Sequence, residues 1–207
     1  MRTTEPVTIE SLTLETSDAA AAEAFYERAF ALGDTIKVRE SDSPTSGFRG
    51  FTLSLVVSQP GTVDNLVGRA LEAGATTLKP ARKSLWGYGG VVQAPDGTIW
   101  KVATSSKKDT GPAGLDVDEV VLLLGVSDVK ATKQFYVDQG LTVGKSFGSK
   151  YVEFDTPGSA VKLALYPRKA AAKDAGVPAD GTGSHGIVVG SDAGPFTDPD
   201  GFAWQGL

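Results

Sequence analysis

The chain of 207 residues has no cysteine, one histidine and one methionine. Without cysteine there is no disulfide, no thiolate metal site and no thiol nucleophile. A single histidine, His185, leaves one imidazole for acid–base work, with no Gly-x-Ser-x-Gly elbow to present a serine to it. No apolar run approaches the ~20 residues of a membrane-spanning helix, and residues 1–10 lack the apolar core of a secretion signal. The net charge of −5 lacks the basic footprint of a nucleic-acid partner. The expectation is a soluble, cytoplasmic protein with neither a nucleic-acid nor a membrane partner. Hydrophobic residues at 41% still suffice for a real core.

What the chain does have is repetition. APDGTIWKV at residues 94–102 returns as DPDGFAWQG at residues 198–206. Each copy reads as a Pro-Asp-Gly turn feeding a short strand, with a Trp three residues beyond the Gly. Upstream, a strand running into Ser17-Asp18, with Phe25-Tyr26 seven residues after the Asp, recurs as Ser127-Asp128 and Phe135-Tyr136. Two unlike motifs in the same order, offset by 110 and 104 residues, mark an internal duplication. The halves are residues 1–104 and 116–207, joined by the polar, glycine- and proline-containing linker 105–115.

Within each half, alternating strand patterns lead into helices. Asp18 and Asp128 stand where an N-cap belongs, and Ala22, Phe25 and Ala29 form an apolar stripe at helical spacing. A second helix follows Pro60-Gly61, and residues 83–90, KSLWGYGG, read as a loop. The first half reads β-α-β-β then α-β-β-β. The second half replaces its second helix with the insertion 168–186, in which residues 170–175 can form one or two helical turns, so it is a trimmed copy. The fold class is α+β.

These motifs, met twice in order, resemble the vicinal oxygen chelate superfamily, which includes glyoxalases, bleomycin-resistance-type binding proteins and extradiol dioxygenases. The resemblance implies tandem glyoxalase-like domains built from paired βαβββ units, with mixed sheets curled around a cleft. It does not imply a reaction, since the superfamily hosts enzymes and pure binders. Its metal-dependent members place a first ligand, usually His, seven residues before the Asp of Ser-Asp; here those positions hold Ser11 and Val121. The closing Glu, four residues past the turn Gly, is replaced by Lys101 and Gln205, and the middle His falls near Thr52 and at His185. An ammonium and hydroxyls in the first half are a poor set for a divalent ion. The expectation is no metal and no cofactor. The alternative is a metal-dependent glyoxalase- or dioxygenase-like enzyme with a degenerate site around His185, which Glu119 joins if the register slips by two.

His185 and Glu119 are the candidate acid–base residues of any catalysis. Candidate ligand-binding residues are the aromatics Phe48, Trp86, Tyr88 and Tyr151, with Arg49 and Lys101 as cationic anchors for a carboxylate or phenolate. Residues 140–146, GLTVGKS, miss the phosphate-loop spacing by one residue and fall on a strand. The functional expectation is a protein that binds a small aromatic molecule without metal. Two halves in one chain can close their pairing internally, which favours a monomer over a homodimer.

Overall fold

The structure is a computed structural model and describes residues 6–207. The chain opens with strand β1 (Ile9–Thr16) and helix α1 (Ala19–Ala29), followed by a 3-10 turn and β2 (Ile36–Glu40). Asp18 caps α1 as its position requires, accepting the Ala21 N–H at 2.9 Å. After the short β3 (Thr45–Gly47) comes a complete βαβββ unit: β4 (Phe51–Val56), α2 (Pro60–Glu72), β5 (Thr76–Ser84), β6 (Gly87–Gln93) and β7 (Ile99–Thr104). A second complete unit follows the linker: β8 (Glu119–Val126), α3 (Val129–Asp138), β9 (Thr142–Ser146), β10 (Val152–Asp155) and β11 (Val161–Pro167). The chain closes with α4 (Arg168–Ala175), β12 (Gly181–Gly183), β13 (Ile187–Ser191), β14 (Phe196–Thr197) and β15 (Ala203–Gln205).

Both main sheets are built across the linker. The eight-stranded sheet runs β5-β6-β7-β4-β8-β11-β10-β9, so the two complete units meet where β4 pairs antiparallel with β8. The five-stranded sheet runs β14-β15-β13-β1-β2, joining the first strand of the chain to its last ones. β3 and β12 form a separate two-stranded ribbon. Each half therefore contributes one complete unit to the large sheet and one abbreviated unit to the small sheet. The abbreviation expected of the second half is found at the start of the first half too.

Residues 83–90 are not a loop but the tight end of the β5–β6 hairpin, with Leu85 and Trp86 at its tip. The glycines that suggested a loop are demanded by strand neighbours. Gly87 has φ +136°, and a Cβ on Gly89 would come within 2.9 Å of the Val102 carbonyl oxygen.

The two faces of the large sheet alternate strictly, as strand geometry demands. Leu122 and Leu124 of β8, Leu163 and Leu165 of β11, and Trp100 and Val102 of β7 enter the main core with helices α1 to α3. Leu123, Ala164 and Ile99 face the other way and meet Ala171, Ala172 and Ala175 of α4 in a second, smaller cluster. That second face, the inner one, lies opposite the face packed against helices α1 to α3. The insertion of the second half fills it with a helix.

Candidate functional site

Two places could hold a ligand. The first is the inner face of the large sheet. Here α4 is seated by three alanines with almost no exposed surface, and by ties at both ends. At its start, Arg168 donates to the carbonyls of Phe48 (2.5 Å) and Ala179 (3.0 Å). At its end, Gly176 adopts a left-handed conformation while Lys79 Nζ donates to the carbonyls of Lys173 and Asp174. Lys101 reaches in from β7 to pair with Asp174 at 2.9 Å.

The register regroups the residues at the positions that the resemblance assigns to metal ligands. Lys101 and Val121 are both register partners of Ser54 on the large sheet. Ser11 and Gln205 are both register partners of Gly190 on the small sheet. Comparing ligands half by half therefore mixed two different faces, because each sheet takes strands from both halves. Neither regrouped set fits a divalent ion, which needs several N, O or S donors at about 2.0–2.3 Å. One set offers an ammonium already paired with a carboxylate beside an isopropyl group; the other offers a hydroxyl and an amide.

His185 does not reach either face. Although it stands at the middle ligand position of the resemblance, its ring is stacked 3.8 Å from that of the core residue Phe202. Its Nδ1 sits 2.6 Å from the Arg49 carbonyl oxygen and its Nε2 2.8 Å from the Asp200 carbonyl oxygen. Both ring nitrogens face backbone carbonyl oxygens, to one of which a neutral imidazole, with its single N–H, can donate, and the ring lies between distant segments of the chain. Glu119 lies elsewhere, at the far end of β8, in an ion pair with Lys162. His185 and Glu119 are not brought together, and no group of three or more His, Cys, Asp or Glu among the described residues is arranged to hold a metal.

The second place is a cleft of about 490 Å³ where β1 runs into α1. One wall is apolar, formed by Ala21, Ala22 and Phe25 of α1 with Pro95 of the first Pro-Asp-Gly turn. Facing it are hydroxyls of Ser41, Ser43 and Thr45, and of Ser184 before β13. Four carboxylates also line it. Glu15 is paired with Arg39 at 2.5 Å, Asp18 caps α1, and Asp96 accepts the Tyr26 hydroxyl at 2.7 Å and the Thr98 N–H at 2.9 Å. Asp42 is exposed at the rim.

Arg49 is the one lining cation among the described residues. Its Nη2 donates to the Thr98 hydroxyl at 2.5 Å, and its guanidinium carbon lies 5.4 Å from the Phe51 ring centroid. Burial pushes its pKa down, opposed by the charge of the Asp96 carboxylate. Burial, then the Asp96 charge, holds the Tyr26 phenol well above its ordinary value, so Tyr26 stays protonated and donates.

Of the aromatics named from sequence, Phe48 is buried against the α4 cluster, under the Arg168 guanidinium. Trp86 is 86% exposed at its hairpin tip, away from both places. The Tyr88 hydroxyl donates to Asp64 at 2.8 Å on the outer surface, and that bond, followed by burial, raises its pKa. Tyr151 packs against Phe147 and Tyr166 and donates to Glu153 at 2.7 Å. Only Arg49 among the named binding residues lines the cleft. Phe25, Pro95 and Asp96 were missed there because the helix stripe and the Pro-Asp-Gly turn were read for what they do to the fold. The cue was their duplication: Asp96 and Asp200 share a motif position yet bond to different partners.

No protein-family profile and no curated sequence matches the chain. Solved structures do. Glyoxalase I from Zea mays superposes at a TM-score of 0.59 with 13% identity, covering 96% of this chain and 91% of that one. A point mutant of the same maize enzyme gives 0.61 with 12% identity, covering 96% and 92%. A glyoxalase/bleomycin resistance protein/dioxygenase family enzyme from Burkholderia phytofirmans PsJN shares 23% identity over 47% of this chain and 98% of its own, at a TM-score of 0.43. Near-complete coverage of both chains by the maize enzyme fits the order of βαβββ units and their pairing across the linker. The chain has the fold of glyoxalase I.

Proposed function

We propose that this protein binds a small aromatic molecule without a metal ion, in the cleft between β1, α1 and the turn at Pro95-Asp96. One observation carries the reading: α4 occupies the inner face of the large sheet, while an open cleft with an aromatic wall and a cationic side chain remains beside α1. Clefts of some hundreds of Å³, mostly apolar with a few polar groups, are what small-ligand sites need. The donor sets on the two sheets support the metal-independent form, since an ammonium stands at one ligand position and a glutamine amide at another.

The test is a ligand screen by amide NMR with and without a strong chelator. Aromatic compounds should shift the amides of Ala21, Phe25 and Gly186, and chelator should leave those shifts unchanged. A near-stoichiometric divalent metal that is lost in His185→Ala would overturn the proposal in favour of a metal-dependent enzyme.

A further inference from the structure

We propose that the cleft beside α1 selects a singly charged carboxylate, which pairs with the Arg49 guanidinium while its apolar body lies against Phe25, Ala22 and Pro95. The inference rests on this cleft being the ligand site and adds the charge class of the ligand.

The cation makes no direct ion pair among the described residues, and the nearby Asp96 carboxylate offsets its burial only in part. The ion pairs among the described residues use Arg39, Lys101, Lys145 and Lys162. Arg168 spends its donors on two carbonyls. Arg49 has one bond, from Nη2 to the neutral Thr98 hydroxyl, and its Nε and Nη1 donate to no acceptor among the described residues. Taking a guanidinium partly out of water is costly unless an anion and full hydrogen bonding compensate. A ligand carboxylate would supply both, in the bidentate geometry that a planar fork favours over an ammonium.

The cation is also held in place. The Arg49 carbonyl is fixed by His185 Nδ1 at 2.6 Å, and the next carbonyl, of Gly50, accepts the Gly125 N–H at 2.7 Å. Gly186, which also lines the cleft, has φ +64°, and a Cβ there would stand 2.7 Å from Arg49 Nη1. Glycine at that position lets the guanidinium lie against the backbone. Such fixing lowers the ordering cost of binding.

The surrounding carboxylates set the upper limit of ligand charge. Asp18, Asp42 and Asp96 line the same space as a single arginine without a carboxylate partner. A monoanion sets the Arg49 pair against the repulsion of these carboxylates; a dianion doubles that repulsion without gaining a second cation.

The experiment is an amide NMR titration of the whole chain with three probes sharing one ring: 3-phenylpropanoate, 3-phenylpropan-1-ol and phenyl phosphate. The expected result is shifts at Ala21, Thr98 and Gly186, with the propanoate binding about 10-fold tighter than the alcohol, as a charge-assisted pair gives. Phenyl phosphate should bind more weakly than the propanoate. Arg49→Gln should bring the propanoate down to the level of the alcohol, and Arg49→Lys should recover only part of the difference. Asp42 is exposed, so Asp42→Asn tests the same point without risk to the fold, and it should tighten phenyl phosphate more than the alcohol. If the alcohol binds as tightly as the propanoate, or Asp42→Asn tightens phenyl phosphate no more than it tightens the alcohol, the charge class is overturned and the binding reading stands. If none of the probes shifts the cleft amides, both fall.

Discussion

The two Pro-Asp-Gly turns have the same local form but are latched to their helices in different ways. In the second half, Asp200 accepts the Ser127 N–H at 2.8 Å and the Thr132 hydroxyl at 3.0 Å, which ties the turn to the start of α3. The corresponding residue to Thr132 in the first half is Ala22, which has no hydroxyl to offer. There Asp96 turns away to accept the Tyr26 hydroxyl, and the space between turn and helix is left as the cleft. In the second half Tyr136 donates instead to Asp198, at the position held by Ala94 in the first. The second turn thus uses one aspartate for the tyrosine and another for the helix start, whereas in the first Asp96 holds the tyrosine and nothing takes the second role. The comparison teaches that duplicated scaffolds can diverge at a single hydroxyl, closing one copy of a gap and leaving the other open.

Removing the two equivalent tyrosine hydroxyls tests this difference most strongly. Tyr136 donates to Asp198 at 2.7 Å and accepts the Trp204 Nε1–H at 3.2 Å, all three groups being buried. Burial raises the pKa of Asp198 as well as that of Tyr136, so the phenol's hydrogen bond carries much of that carboxylate's satisfaction. Tyr136→Phe should lower unfolding free energy by about 2–3 kcal/mol in urea titrations, because it strands a buried donor and a buried acceptor. Tyr26→Phe should cost about 1 kcal/mol, since Trp100 Nε1 has no partner to lose and Asp96 is not buried. Equal losses would break the asymmetry.

Next in size is the latch itself. Thr132→Val keeps the shape and deletes the bond to Asp200, for an expected loss of about 1 kcal/mol by the same measurement. No loss would mean that the bond does not hold the second turn closed. The smallest effect is expected at the seat of α4. Asp174→Asn breaks an ion pair whose side chains are 36% and 39% exposed, so the change should stay below about 1 kcal/mol and shrink further in salt. A much larger loss would show that this pair, rather than the alanine contacts, keeps the helix on the sheet.

The local parts of this architecture were legible in sequence. Asp18 and Asp128 cap their helices because capping depends on a side chain two or three residues from the N–H groups it accepts. The duplicated motifs led to the fold for the same reason. Pairing across the linker was not legible, because nothing in β4 names β8 as its neighbour until the sheet exists. The glycines of residues 83–90 misled because their cause is a neighbouring strand. Trp86 and Tyr88 look alike whether their stretch is a cleft wall or a hairpin end. Arg49 could be named as a cation near a strand entry, but its lack of a carboxylate partner is a property of the assembled site. His185 could be singled out as the sole imidazole, yet its partners are the carbonyls of residues 49 and 200, which no spacing rule connects.

The order in which the two sheets can be completed during synthesis is already built into their strand pairing. Leu53 meets Leu122 across a chain separation of 69 residues, whereas Leu12 waits for Val189, 177 residues later. At equilibrium the extra length costs only about 0.8 kcal/mol of loop closure. On the ribosome, domains assemble from the N-terminal side as their segments emerge, so the large sheet can form while β1 has only β2 beside it. Arg49 gains its His185 tie and the cleft its Ser184–Gly186 side only when the last two dozen residues arrive. Ligand binding would thus report translation through Gly186, and a polypeptide that stops short of it could have its large sheet folded and still be unable to bind.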